Sequence, residues 1–178
     1  MVKYHATLGN DTIVVPWLAV GDRPDSKETW QALGLKLDKL GAEVRSLGAR
    51  LLYHNHDFEM VVIDGRTGLQ WMVDAASPEN LGLEIDAGWV VAGGQDPIAL
   101  LREYAHRVPR LHAKEAFAAG IGSEEESNKD VGEGLVDWHA VLAAAEENGV
   151  EWVIAEHDNP AIPAVSLIKS ADYLQKLW

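Results

Sequence analysis

Short apolar runs alternate along this chain with stretches of helical spacing. Residues 12–18, TIVVPWL, are β-branched and predict a buried strand with Pro16 near its end. Ser26 is placed to cap a helix in which Trp30, Leu33, Leu37, Leu40, Val44 and Leu47 recur at helical intervals until Gly48. Arg50–His54 predicts the next strand, residues 69–76 a short helix broken by Ser77-Pro78, and residues 81–86, LGLEID, a third strand. Pro97 opens a helix ending near His106, and Arg110–Ala113 predicts a fourth strand. Residues 116–134 form a polar, glycine-rich loop that carries the acidic run Glu124, Glu125, Glu126. Asp137 is placed to cap a helix over Trp138–Glu147, which Asn148-Gly149 ends. Residues 152–156, WVIAE, predict the last strand and residues 166–177 a closing helix.

Five strands, each followed by a helix, predict an α/β fold with a parallel sheet covered on both faces. No linker divides the chain, so residues 1–178 are expected to form a single domain. At 47% apolar and 24% charged residues the composition is that of a globular protein, with no apolar run near the roughly 18–20 residues of a membrane span. Cysteine is absent, which removes disulfides and thiolate metal sites and fits a cytoplasmic protein. The formal charge of −13, with no cluster of Lys and Arg, opposes nucleic-acid binding and favours a small-molecule substrate.

Four of the five strands finish on an ionisable group: His54 and His56, then Asp86, then His112, then Glu156. In parallel α/β proteins the C-terminal strand ends are where ligands bind, because the loops converge there. A lone histidine at a strand end is usually a satisfied polar group, but four consecutive strands bringing imidazoles and carboxylates to one edge make a shell for one divalent ion, Mn²⁺, Co²⁺, Zn²⁺ or Mg²⁺. Trp89, three past Asp86, and Trp17, after Pro16, are candidate walls for the apolar face of a sugar ring, or core residues. Gly132 and Gly134 lack the spacing of a dinucleotide fingerprint. The acidic triplet reads as a solvated loop, and His5, His106 and His139 as surface or helix residues.

The stretches YHNHDFE, LEIDAGW, RVPRLHAKE, VGEGLVDW and EWVIAEHD, in this order, resemble the sugar-phosphate isomerase/epimerase family with its xylose isomerase-like TIM barrel. The resemblance implies a (β/α)8 barrel with a divalent metal at its mouth and ligands at His54, Asp86, His112 and Glu156. Many relatives carry Glu-Asn-His where this chain has His54-Asn55-His56, so one carboxylate of the usual acid/base pair is missing. Glu59 or Lys114 is a candidate replacement, and His56 would face the substrate or donate to a neighbour. The resemblance starts at what should be the fourth strand, so the expected fold is a partial barrel of about five parallel strands with outer helices. Five strands cannot close an eight-stranded barrel, and open edges pair or aggregate unless covered. The expectation is therefore a fragment lacking an N-terminal half-barrel, or a homo-oligomer that completes closure, rather than an open monomer with a degraded site.

The implied activity is metal-dependent isomerisation or epimerisation of a carbohydrate through an enediolate, with dehydration or β-elimination on a keto-sugar or inositol as the alternative. Glu156 is the candidate base and Lys114 a candidate for steadying oxyanion charge. His157 and Asp158 are candidate substrate contacts. A phosphodiesterase acting on damaged DNA shares the barrel, but the charge opposes it. A non-catalytic binding or interaction subunit is the third reading.

Overall fold

The computed structural model describes residues 2–116 and 129–178. The acidic run Glu124–126 and most of the predicted loop around it lie outside the described residues. Two compact units are distinguished, Met1–Asn55 with Glu59–Glu84, and His56–Phe58 with Ile85–Trp178.

The first unit opens with a helix the sequence did not signal, α1 (Val2–Thr7), followed by β1 (Thr12–Val15). The strand stops at Val15, three residues short of the predicted end, where Pro16 removes a backbone donor. Helix α2 (Lys27–Ser46) is capped as expected: Ser26 Oγ accepts from the Thr29 amide and Thr29 Oγ1 accepts from the Ser26 amide. Strand β2 (Arg50–His54) pairs with β1 in parallel, Val15 opposite Tyr53. An unpredicted hairpin follows, β3 (Val62–Ile63) and β4 (Arg66–Thr67), turning on Asp64 and Gly65 at positive φ. Such Asp-Gly pairs suit the tight hairpin turn. Thr67 then caps α3 (Gly68–Asp74), and β5 (Gly82–Asp86) pairs with β2 in parallel, Glu84 opposite His54.

Glycines let α2 come close to its neighbours. A Cβ on Gly34 would sit 2.1 Å from the Met72 carbonyl oxygen, and one on Gly41 1.8 Å from that of Asn80. Asp38, on the same face, accepts from the Ser77 amide and the Asn80 side chain, which holds its carboxyl below the ordinary value.

In the second unit β5 runs directly into α4 (Ala87–Ala92), absent from the sequence reading, whose N-cap is Asp86 itself. Asp96 and Pro97 start α5 (Pro97–Glu103); it ends before the predicted His106, which has a left-handed φ of 66°. Strand β6 (Arg110–Ala113) and strand β7 (Trp152–Ala155) pair in parallel, with α6 (Trp138–Glu147) between them in sequence, capped by Asp137. The closing helix α7 (Pro163–Leu174) begins and ends three residues early relative to the predicted 166–177, because Pro163 sets its first turn. It buries Ser166, Ser170 and Leu174 and exposes Val165, Leu167 and Ile168.

Among the described residues the sheet has five parallel strands in the order β1-β2-β5-β6-β7, with β1 and β7 at its edges. No helix among the described residues is long and apolar enough to cross a membrane.

Candidate metal centre

Strand alternation decides which side chains meet. Successive residues of a strand point to opposite faces, so residues two apart share one. In the second unit His112 stands opposite Ile154, and its Nδ1 reaches Glu156 Oε2 at 2.6 Å. Lys114, two further along, bonds to Asp158, two past Glu156. His157, between the two acids, turns away: its buried ring lies 4.0 Å from Asp130 Oδ1, and its Nδ1 accepts from the Asn159 amide.

Asp86 is fully buried at the end of β5. Its Oδ1 accepts from the Trp89 amide at 2.8 Å, capping α4. Asp86, His112 and Glu156 each offer a ligand atom, and these atoms lie within 4.8 Å of one another. Two carboxylates and an imidazole at that spacing suit a divalent cation that accepts mixed nitrogen and oxygen ligands.

Trp89 forms a wall in this unit. The Lys114 ammonium sits over its indole at 4.3 Å from the centroid, and the His56 ring lies 5.4 Å away, with Phe58 stacked on His56 at 6.0 Å. Gly88 lets α4 lie against the end of β6, since a Cβ there would come 2.4 Å from the Lys114 carbonyl oxygen.

In the first unit His54 is buried at the end of β2, with Nδ1 3.4 Å from Glu84 Oε1. Glu59 is buried and accepts from the Tyr53 hydroxyl at 2.7 Å. Burial, and then the Glu59 charge, push that phenol far up and keep it protonated. Trp17 is half exposed, with the Arg23 guanidinium 5.4 Å above its ring.

Three acids that matter structurally did not stand out in the sequence. Glu84 was visible only as a charge inside an apolar strand two residues before Asp86, and its Oε1 lies 3.4 Å from His54 Nδ1, a close polar contact rather than a hydrogen bond. Glu115 is buried and accepts four hydrogen bonds, from the Ala116 and Val136 amides on Oε1 and from the Gly132 amide and Trp138 Nε1 on Oε2. Asp130 accepts from the Ser166 hydroxyl and from Lys169, which hold its carboxyl below the ordinary range. Nothing local in the sequence marks either of the last two, because every partner except the adjacent Ala116 amide lies 17 to 39 residues away.

Residues 1–177 match the model of the family described as xylose isomerase-like TIM barrel. Among characterised relatives, the inosose dehydratase of Clostridium beijerinckii is 29% identical over 168 residues, 85% of this chain and 55% of its own length. That of Lacticaseibacillus casei is 24% identical, covering 86% of this chain and 56% of its own. The chain thus spans about half the length of the curated relatives it matches. A sugar phosphate isomerase/epimerase from Parabacteroides distasonis superposes with a TM-score of 0.83 at 22% identity, over 98% of this chain and 60% of that one. The IolI protein, solved with a bound zinc atom, superposes with a TM-score of 0.76 at 18% identity, over 100% of this chain and 68% of that one.

Proposed function

Since the chain belongs to the xylose isomerase-like TIM barrel family, we propose that it carries the metal-holding part of an enzyme that enolises a polyhydroxy ketone. The convergence of Asp86, His112 and Glu156 within 4.8 Å is the observation that carries this reading. His54 is the fourth ligand of the proposal. In its support, His54 stands opposite Glu84 in the β2–β5 ladder, and Asp86 follows Glu84 by two along the same strand. The Glu84 carboxylate would fix the His54 ring, as carboxylates do for metal-ligating imidazoles.

A bound divalent ion, of the Mn²⁺, Co²⁺, Zn²⁺ or Mg²⁺ class, would supply polarisation of the substrate carbonyl and stabilisation of enediolate charge. Glu156 takes the proton from the carbon next to the carbonyl, and His112 at 2.6 Å orients it. Return of the proton to another face or carbon gives epimerisation or isomerisation. Trp89 and His56 supply a flat wall for the carbon skeleton. Glu59 is committed to the Tyr53 hydroxyl, which leaves Glu156 as the base of this proposal. Loss of a neighbouring hydroxyl from the same enediolate is the second outcome, and the dehydratases among the relatives favour testing it on 2-keto-inositols. A closed eight-stranded barrel would need three more strands than the five here, joined at the edges β1 and β7.

The test is titration of the purified chain with Mn²⁺ and Co²⁺. One ion per chain is expected. Asp86→Asn keeps an oxygen for the α4 cap but removes a charge, and with His112→Ala it should weaken binding by ~100-fold or more while far-UV circular dichroism stays unchanged. Equal affinity in both variants defeats the assignment.

A further inference from the structure

Lys114 is a buried cation held from two sides. Its side chain is 4% exposed, whereas that of its partner Asp158 is 41% exposed. Lysine ammonium groups normally reach for water, and fixing one costs rotamer entropy. Here the ammonium lies on the Trp89 face at 4.3 Å and bonds to Asp158.

Every part of this cradle is tied to a residue of the metal centre. The Asp86 carboxylate that caps α4 also fixes the Trp89 backbone. Gly88 lets the first turn of α4 rest on the Lys114 backbone. Lys114 follows His112 by two and Asp158 follows Glu156 by two, so the Lys114–Asp158 contact repeats the His112–Glu156 contact with the same separation of 44 residues. A positive charge kept out of water needs negative charge beside it, and the Asp158 carboxylate supplies it at rest while fixing where the ammonium points.

We propose that Asp158 and Trp89 are positioning residues that aim the Lys114 ammonium at the substrate oxygen that turns negative. This rests on the enolisation reading above and names the second group of that site. When Glu156 takes the proton, the C–H bond breaks and the proton bonds to the carboxylate; the C–H electron pair becomes the C=C bond and the carbonyl π pair moves onto its oxygen. Lys114 donates a hydrogen bond to that oxygen and forms no covalent bond. The substrate class that fits is a keto-sugar or keto-inositol, with the apolar edge of its carbon skeleton against Trp89.

Two measurements test this. In the first, lysines are reductively methylated under limiting reagent and quantified by mass spectrometry. Lys114 should react ~10-fold or more slowly than the exposed lysines, Asp158→Asn should remove most of that protection, and Asp158→Glu should restore part of it. In the second, Mn²⁺-loaded protein is assayed on 2-keto-inositol by the absorbance of the enone product. Asp158→Asn and Lys114→Met should each lower kcat by ~10- to 100-fold with KM within ~3-fold, and the double variant should lose no more than Lys114→Met alone. Unchanged protection in Asp158→Asn overturns the positioning role, and so do additive losses. If the wild type binds Mn²⁺ but Lys114→Met keeps full turnover, Lys114 has no oxyanion role. If the wild type binds no ion and turns nothing over, the enolisation reading fails and takes that role with it, while the methylation result still decides whether Asp158 holds Lys114.

Discussion

Replacement of Glu115 by alanine should unfold the second unit far more readily than any surface change nearby. One buried carboxylate accepts from the Ala116, Gly132 and Val136 amides and from Trp138 Nε1, at 2.8–3.1 Å. The Gly132 position is exposed, so water replaces that bond at little cost. The other three donors belong to buried residues. Each buried donor stripped of its acceptor costs about 1–3 kcal/mol. Taken at the low end, because the space left by truncation to alanine would admit some water, the loss is about 3–4 kcal/mol, at or above the top of the usual range for one substitution. For a chain of this size that lowers Tm by about 6–16 °C. Glu115→Gln keeps one oxygen for one pair of donors but turns an N–H₂ toward the other pair, so about half the loss is expected.

The assay is urea unfolding followed both by far-UV circular dichroism and by tryptophan emission, since Trp138 is a direct partner. Glu133→Ala, in the same segment but exposed, is the control and should stay within about 0.5 kcal/mol of the wild type. If Glu115→Ala also lies within that margin, the four bonds contribute nothing net and the reasoning is wrong.

Gly88→Ala would put a methyl 2.4 Å from a backbone oxygen of Lys114, so it should cost about 1–3 kcal/mol and weaken Mn²⁺ binding, read by denaturation and titration. Gly41→Ala, 1.8 Å from the Asn80 oxygen, should cost at least as much in thermal melts but leave metal affinity alone, because its clash is with the Asn80 backbone and not with a proposed ligand. Asp130 gives a pH test. The Ser166 hydroxyl and then Lys169 lower its folded value, so its contribution is full above the ordinary carboxylate range and fades as pH falls through the folded value. The stability gap between wild type and Ser166→Ala should therefore shrink between about pH 6 and about pH 3 in urea titrations, and a gap that widens on acidification refutes the assignment.

Much of the fold was legible because the strands are near-continuous apolar runs and the helices carry their own caps. Ser26 and Asp137 were read as caps and act as caps. Most of the misses share one cause, that short elements carry too few residues for periodicity to speak. Helix α4 has six residues and depends on Asp86, whose reading as a metal candidate hid its second role as a cap. The β3–β4 hairpin has two-residue strands and announced itself only through Asp64-Gly65. Helix α7 starts three residues before the expected Ser166, on Pro163, and Ser166 lies inside it with its hydroxyl on Asp130.

The same limit separates the parts of the site that were readable from those that were not. Taking His157 and Asp158 together as substrate contacts ignores the two-residue period of the strand they extend. That period sends His157 to Asp130 and leaves Glu156 and Asp158 on the side of His112 and Lys114. It also places Glu84 with Asp86, and so explains why a carboxylate sits inside an apolar strand: it meets the His54 ring across the ladder. On β5, β6 and β7 the chemistry is thus written in pairs of alternate residues. In each pair one member is a candidate ligand and the other secures a neighbour: Glu84 steadies His54, while Lys114 and Asp158 hold one another. A swap that keeps the composition but breaks the alternation, exchanging His157 and Asp158, would leave Lys114 without its carboxylate. It should expose Lys114 to methylation as fully as Asp158→Asn does, and protection that survives the swap would mean that something other than strand register holds the lysine.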